Sequence, residues 1–296
     1  MPDRVRACVR LARVPEGGLQ MAVVGHVEWV QFGHVARLPR AGAVEHATDS
    51  FEEPAGGGAV AAVALARLAG SATLVTALGA DEQARLTLVR LRELGVEVRV
   101  AAAAGCDPGA APPTRRAVTL IDAANERSIT TFGARLDPVG DDSERAWEGL
   151  SALDGTYFTA GDLDALRRAR AASRVLVASP RARGALGHGV PLDALVLSAH
   201  DPLELEAAAG VEADAELVLE TEGSEGGRWR RRDGAEGRWQ AAPVAGRALD
   251  TYGCGDTFAA AITYALAAEM DLDPALELAA RAAAHCLTLA GPYGRE

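Results

Sequence analysis

Residues 250–258 read Asp-Thr-Tyr-Gly-Cys-Gly-Asp-Thr-Phe and run straight into an alanine-rich stretch, 259–268. Gly253 and Gly255 flank one small residue, so the backbone can turn tightly and aim successive N–H groups at one point. At a helix start, unpaired amides and the positive helix end, equivalent to roughly half an elementary charge, attract a phosphate or a developing negative charge. Gly253, Cys254 and Gly255 therefore form a candidate anion cradle. The carboxylate of Asp256 would repel what the cradle attracts unless it has a chemical role of its own. Accepting a proton is such a role, since a hydroxyl within about 3 Å could be deprotonated as its oxygen attacks a phosphoryl group held by the amides. The bland alternative is that Asp256 caps the helix.

Such a segment needs a scaffold that brings a strand-to-helix turn to an accessible edge. Short apolar runs suited to buried strands fall at 22–25, 72–78, 118–121, 155–159, 174–178, 194–197 and 216–220. Between them, 59–68, 83–94, 162–171 and 203–209 carry apolar residues at three- and four-residue spacing, the signature of helices. Strands alternating with helices imply βαβ units and a mostly parallel sheet, that is, an α/β sandwich of three layers. Two regions break the alternation, about 28–50 and 96–132, with short strands and turns such as Arg116-Ala117-Val118-Thr119-Leu120. They form either a small β lid over the strand ends, where open α/β sheets bind ligands, or a decorative hairpin. The stretch 223–237, rich in Gly, Arg and Glu, reads as a solvated turn. Residues 1–20, with arginines scattered among small apolar residues, read as a disordered extension before a single domain over 21–296.

The chain has 296 residues and a formal net charge of −11, and all 30 of its basic residues are arginine. Without lysine there is no Schiff-base chemistry and no P-loop lysine. The acidic balance argues against nucleic acid as a partner, because duplex binding requires a basic face; the short cluster Arg228, Arg230, Arg231, Arg232 does not reverse it. No run approaches the roughly 18 apolar residues of a membrane span. Cys8, Cys106, Cys254 and Cys286 form no C-x-x-C pair, which suits a reducing cytoplasm better than a zinc site or a disulfide framework. A dinucleotide fingerprint is missing after the first strand, where Gly25 is followed by His26-Val27-Glu28.

Asp250 to Asp256 resembles the D-T-x-G-[AC]-G-D signature of the PfkB, or ribokinase-like, family of sugar and nucleoside kinases. Other segments resemble that family in order: Gly56-Gly57 its glycine pair, Leu78-Gly79-Ala80-Asp81 its G-x-D turn, Asn125-Glu126-Arg127 the turn between lid strands, and Thr221 to Gly226 its T-x-G-x-x-G nucleotide loop. The resemblance implies a ribokinase-like α/β/α sandwich with a β lid, using ATP and Mg²⁺. It implies Asp256 as general base and Gly253, Cys254 and Gly255 as the anion hole, Cys254 being a small packing residue. Thr221, Gly223, Gly226 and Thr251 would serve the nucleotide. His285 would lie near adenine or be a buried helix residue. Glu28, Gly56 and Gly57 would meet the acceptor. Asp201 and Glu204 stand where the family has N-x-x-E, which organises magnesium, although Asp201 could equally cap a helix.

The departures lie on the acceptor side. Val30 replaces the usual Asp and Ala61 the usual Asn, so the acceptor is not expected to be ribose itself. Trp29 would either stack on the substrate or belong to the lid. The expected activity is ATP-dependent phosphorylation of a hydroxyl on a small sugar or nucleoside-like metabolite; the alternative is a catalytically weak relative that binds a ligand for regulation. Two lids could pair in a homodimer.

Overall fold

The computed structural model describes residues 18–105, 112–140 and 145–294. Of the expected extension, residues 1–17 lie outside the described residues, as do 106–111 of the second break in the alternation. The end of that extension is no appendage. Leu19 is buried in the main core, and the Gln20 N–H donates to Asp154 Oδ2 at 2.8 Å.

In chain order the elements are β1 (Met21–Val24), β2 (Glu28–His34), β3 (Asp49–Ala55), α1 (Gly57–Ala69), β4 (Ala72–Thr76), α2 (Glu82–Glu93), β5 (Val96–Val100), β6 (Arg116–Ile121), β7 (Arg127–Phe132), β8 (Leu153–Phe158), α3 (Leu163–Ala172), β9 (Ser173–Ala178), β10 (Leu192–Ser198), α4 (Pro202–Ala208), β11 (Ala215–Thr221), β12 (Gly227–Arg231), β13 (Glu236–Trp239), α5 (Cys254–Ala267) and α6 (Leu272–Cys286). A central nine-stranded sheet runs β13-β12-β11-β10-β9-β8-β1-β4-β5. It is parallel from β11 to β5 and ends in the antiparallel hairpin β12–β13.

Helices cover both faces of this sheet, which is why its strands read as continuous apolar runs. Adjacent strand residues divide between two cores. Val23, Leu74, Tyr157 and Val177 join the core that includes α1, α5 and α6. Val24, Val75, Phe158 and Leu176 join the core of α3 and α4. The result is the expected three-layer sandwich.

A second sheet has the order β3-β2-β6-β7, with β2 parallel to β6 and both outer pairs antiparallel. The lid does not use all of 96–132. Val96–Val100 instead extends the central sheet as β5, with Val96 opposite Ala72 and Val100 opposite Thr76. The crossover helix α2 makes that parallel pairing the natural one. Nor is 223–237 a simple turn, since it holds β12 and the start of β13. Three of its four arginines are paired: Arg228 and Arg230 with the buried Glu220, and Arg232 with Glu216. No helix among the described residues is long and apolar enough to cross a membrane.

Candidate active site

The parallel strands β1, β8, β9, β10 and β11 all point their C-terminal ends toward one cavity of about 260 Å³, bounded above by lid strands β2 and β7. Strand order reverses between β8 and β4, on either side of β1, the type of position where open α/β sheets bind ligands. Ten of the residues singled out in the sequence line this cavity: Glu28, Gly56, Gly57, Glu204, Thr221, Thr251, Gly253, Cys254, Gly255 and Asp256.

The cradle forms as the glycines require. Gly253 is the N-cap of α5 at φ 80°, ψ 2°, a left-handed conformation, and an added methyl would lie 2.7 Å from Val60. No side chain caps this helix, and its first bond runs from the Thr257 N–H to the Gly253 carbonyl. The amides of Cys254, Gly255 and Asp256 thus have no intrahelical acceptor. Asp256 is not a cap. It lies in the first turn, with Oδ1 only 2.9 Å from where a methyl on Gly57 would stand. The N-terminal ends of α1 and α5 therefore converge on the same space, reinforcing the positive potential there. Burial lifts the Asp256 carboxyl above the ordinary carboxylate range; Arg181 and Arg127 oppose that rise and Glu204 adds to it. Contact with Cys286 and burial likewise keep the Cys254 thiol protonated, which suits a packing residue.

On the acceptor side, β2 points Glu28 inward and Trp29 outward by ordinary strand alternation. Burial raises the Glu28 carboxyl, opposed chiefly by Arg115, whose Nε lies 3.2 Å from Oε1. His26 is neutral: burial, then Arg135, Arg115 and Arg181, lower its pKa to about 3. Its Nδ1 is buried without a partner among the described residues, as is Thr159 Oγ1 beside Gly57. Buried polar atoms left open in this way suit a polar ligand. Trp29 donates to Glu52 Oε2 at 2.8 Å and so belongs to the lid contact. Val30 and Ala61 are fully buried and offer nothing polar.

Several of the candidate residues have other engagements, some of them outside the cavity. Asp201 caps α4, accepting from the Leu203 N–H at 3.0 Å. Both oxygens of Glu204 are occupied, one by Arg181 Nε at 2.5 Å and the other by the Ser198 N–H at 2.8 Å. Among the described residues no group of three His, Cys, Asp or Glu could hold a metal ion. Asp201 is thus engaged at the start of α4, and Glu204, which does line the cavity, is already paired there. Gly223 and Gly226, at φ 62° and 87°, shape the tight turn after Thr221 without lining the cavity. His285 does not reach it at all. The last turn of α6 faces α1, so His285 lines a separate cleft of about 60 Å³ with Arg67 and Thr257.

Three of the cavity residues that had no role in the sequence reading carry large polar side chains. Arg181 follows β9 and Tyr157 is the penultimate residue of β8, both at the C-terminal strand ends where a site was expected; Arg127, quoted only within a turn, donates from β7 to Thr251 Oγ1. Position at a strand end was the available signal, but only the folded chain shows which way each side chain points.

The same architecture occurs in solved structures. Ribokinase from Giardia lamblia superposes with a TM-score of 0.73 at 19% identity, covering 93% of this chain and 96% of that one. Arabidopsis thaliana ribokinase, complexed with ribose and ATP, gives 0.69 at 19% over 93% and 94%. Adenosine kinase from Sinorhizobium meliloti gives 0.71 at 18% over 93% and 96%. The fold is ribokinase-like. No curated protein matches the sequence. The profile of the pfkB family carbohydrate kinases matches residues 19–159 and 192–294, which take in both the glycine pair and the cradle segment, and the chain belongs to that family.

Proposed function

We propose that the protein transfers the γ-phosphoryl group of ATP to a hydroxyl of a small carbohydrate-like metabolite, with Asp256 as general base. The observation that carries this reading is the meeting of an enclosed, uncapped helix start with a carboxylate in the same 260 Å³ cavity as Glu28 and the glycine pair. The acceptor lies between Glu28, His26 and Gly56-Gly57, and its hydroxyl gives its proton to Asp256. The amides of Cys254, Gly255 and Asp256, with Arg181 and Arg127 nearby, stabilise the charge on the phosphoryl oxygens. The nucleotide extends past Thr251 toward Thr221 and its turn. Magnesium enters this reading only with the nucleotide phosphates, since the described side chains supply no cage for it.

The polar atom left open at His26, a cavity residue, favours a hydroxyl-bearing acceptor, and the apolar Val30 and Ala61 favour one other than ribose. The free thiols of Cys254 and Cys286 suit a reducing cytoplasm. The reading extends to a homodimer in which two lids pair. Asp256→Asn tests the base: turnover should fall by at least about a hundredfold while ATP binding, measured by calorimetry, changes little. Unchanged turnover would refute the assignment. A wild-type protein that releases no ADP with any sugar or nucleoside of a broad panel would leave the regulatory binder as the better reading.

A further inference from the structure

Tyr252 lies in the Asp250 to Asp256 segment but belongs to neither the cradle nor the base. Its side chain is buried between elements far apart in sequence. The phenol oxygen accepts the Gly56 N–H at 3.2 Å. The ring meets Phe32 edge-on, with centroids 5.1 Å apart and planes at 80°. Phe32 in turn stacks on Phe51 at 4.9 Å, so the contact reaches both β2 and β3. From the other side the main chain of Tyr252 is tied down: its N–H donates to Asp250 Oδ1 at 2.8 Å, and its carbonyl accepts the Cys286 thiol at 3.4 Å. The cradle begins at the next residue.

One end of this side chain is thus fixed to the cradle and α6, and the other to the lid and the glycine before α1. Glu28 lies on the same face of β2 as Phe32, and Gly57 backs Asp256. A hydroxyl bound between Glu28 and Gly57 must come within about 3 Å of Asp256, and a misplacement of about 1 Å can cost about a hundredfold in rate. Whatever sets the distance between lid and cradle therefore sets the reacting geometry. We propose that Tyr252 is a positioning residue that holds the acceptor side of the cavity at a fixed distance from the phosphoryl cradle. The catalytic half of this proposal rests on the kinase reading above; the mechanical half does not.

Tyr252→Phe removes the hydroxyl and keeps the ring on Phe32. In the ligand-free protein, amide exchange over residues 50–60 should quicken about fivefold or more, as expected for the loss of one ordinary hydrogen bond. With ATP and D-ribose, D-fructose or adenosine, the kcat for whichever compound is phosphorylated should fall and its KM rise, together lowering kcat/KM by about tenfold or more, while the KM for ATP stays within about twofold. Phe32→Leu keeps the hydroxyl and weakens the ring contact. It should lower the same kcat/KM, and the two changes together should act less than multiplicatively because they share one strut. Unchanged exchange over 50–60 in Tyr252→Phe overturns the proposal. So does an equal rise in both KM values, which marks general loosening. If the wild type phosphorylates nothing in the panel, the kinase reading and the catalytic half fall together, and the exchange result still decides whether Tyr252 holds Gly56.

Discussion

The base proposed at Asp256 must be ionised at working pH yet enclosed enough to exclude water, and its surroundings pull in both directions. Burial raises its carboxyl pKa, and Glu204 raises it further, whereas Arg181 and Arg127 lower it. Because the active form is the ionised one, turnover should be lost as pH falls through a value above the ordinary carboxylate pKa of about 3.9. Arg181→Gln removes the largest opposing charge and should move that acid limb to higher pH, a shift that kcat–pH profiles of the two proteins would detect. The change also strips Glu204 of one hydrogen-bonded partner. Its melting temperature should therefore be measured alongside, and a profile that stays in place at retained stability would contradict the assigned role of Arg181.

At the scale of elements, the start of α1, which meets the start of α5 at the site, needs two successive glycines for different reasons. A methyl at Gly57 would lie 2.9 Å from Asp256 Oδ1 and 3.2 Å from Thr159 Oγ1, both side-chain atoms. A methyl at Gly58 would lie 2.7 Å from the Gly25 and His26 main chain, which cannot step aside. Gly57→Ala should accordingly impair catalysis, by about tenfold or more as the carboxylate is displaced, with little loss of stability, since alanine is favoured over glycine in a helix by up to about 1 kcal/mol. Gly58→Ala should instead lower the melting temperature, because overpacking against backbone typically costs about 1–3 kcal/mol. Paired measurements of kcat and thermal unfolding would separate the two. Equal loss of stability in both variants would argue against this division of labour.

For the molecule as a whole, the lid is what turns an open sheet edge into a cavity. It is fastened to the segment before the cradle at successive points: Asn125 Nδ2 donates to the Ala248 carbonyl, Arg127 to Thr251, and Tyr252 meets Phe32. Its outer strand β7 is exposed along its full length, and Phe132 is 55% exposed. An open strand edge carrying apolar side chains is a template for pairing with another chain. The proposed lid-to-lid dimer predicts that Phe132→Asp shifts the sedimentation coefficient from dimer to monomer. A wild-type protein that sediments as a monomer at micromolar concentration would remove that reading.

Much of this was legible in the chain before it folded. Apolar runs such as Ala22-Val23-Val24 mark strands buried on both faces, and the turn from Gly253 to Asp256 declares its anion cradle, because glycine spacing and helix polarity are local physics. The central sheet and the candidate base followed from such local rules, whereas the lid was one of two readings that local pattern left open. The hairpin β12–β13 did not, because its arginines look solvated until Glu220 and Glu216 on β11 are placed beside them. Nor did the fate of Val96–Val100, since a short strand of mixed polarity takes its partner from topology. The direction of a side chain belongs to the same category. His285 turned toward α1, and Arg181 and Tyr252 turned into the cavity, through packing between segments distant in sequence. Sequence therefore determined which chemistry the chain could carry, and tertiary structure decided which side chains meet at the cavity, because local preferences fix backbone shape while long-range contacts fix which distant side chains come together.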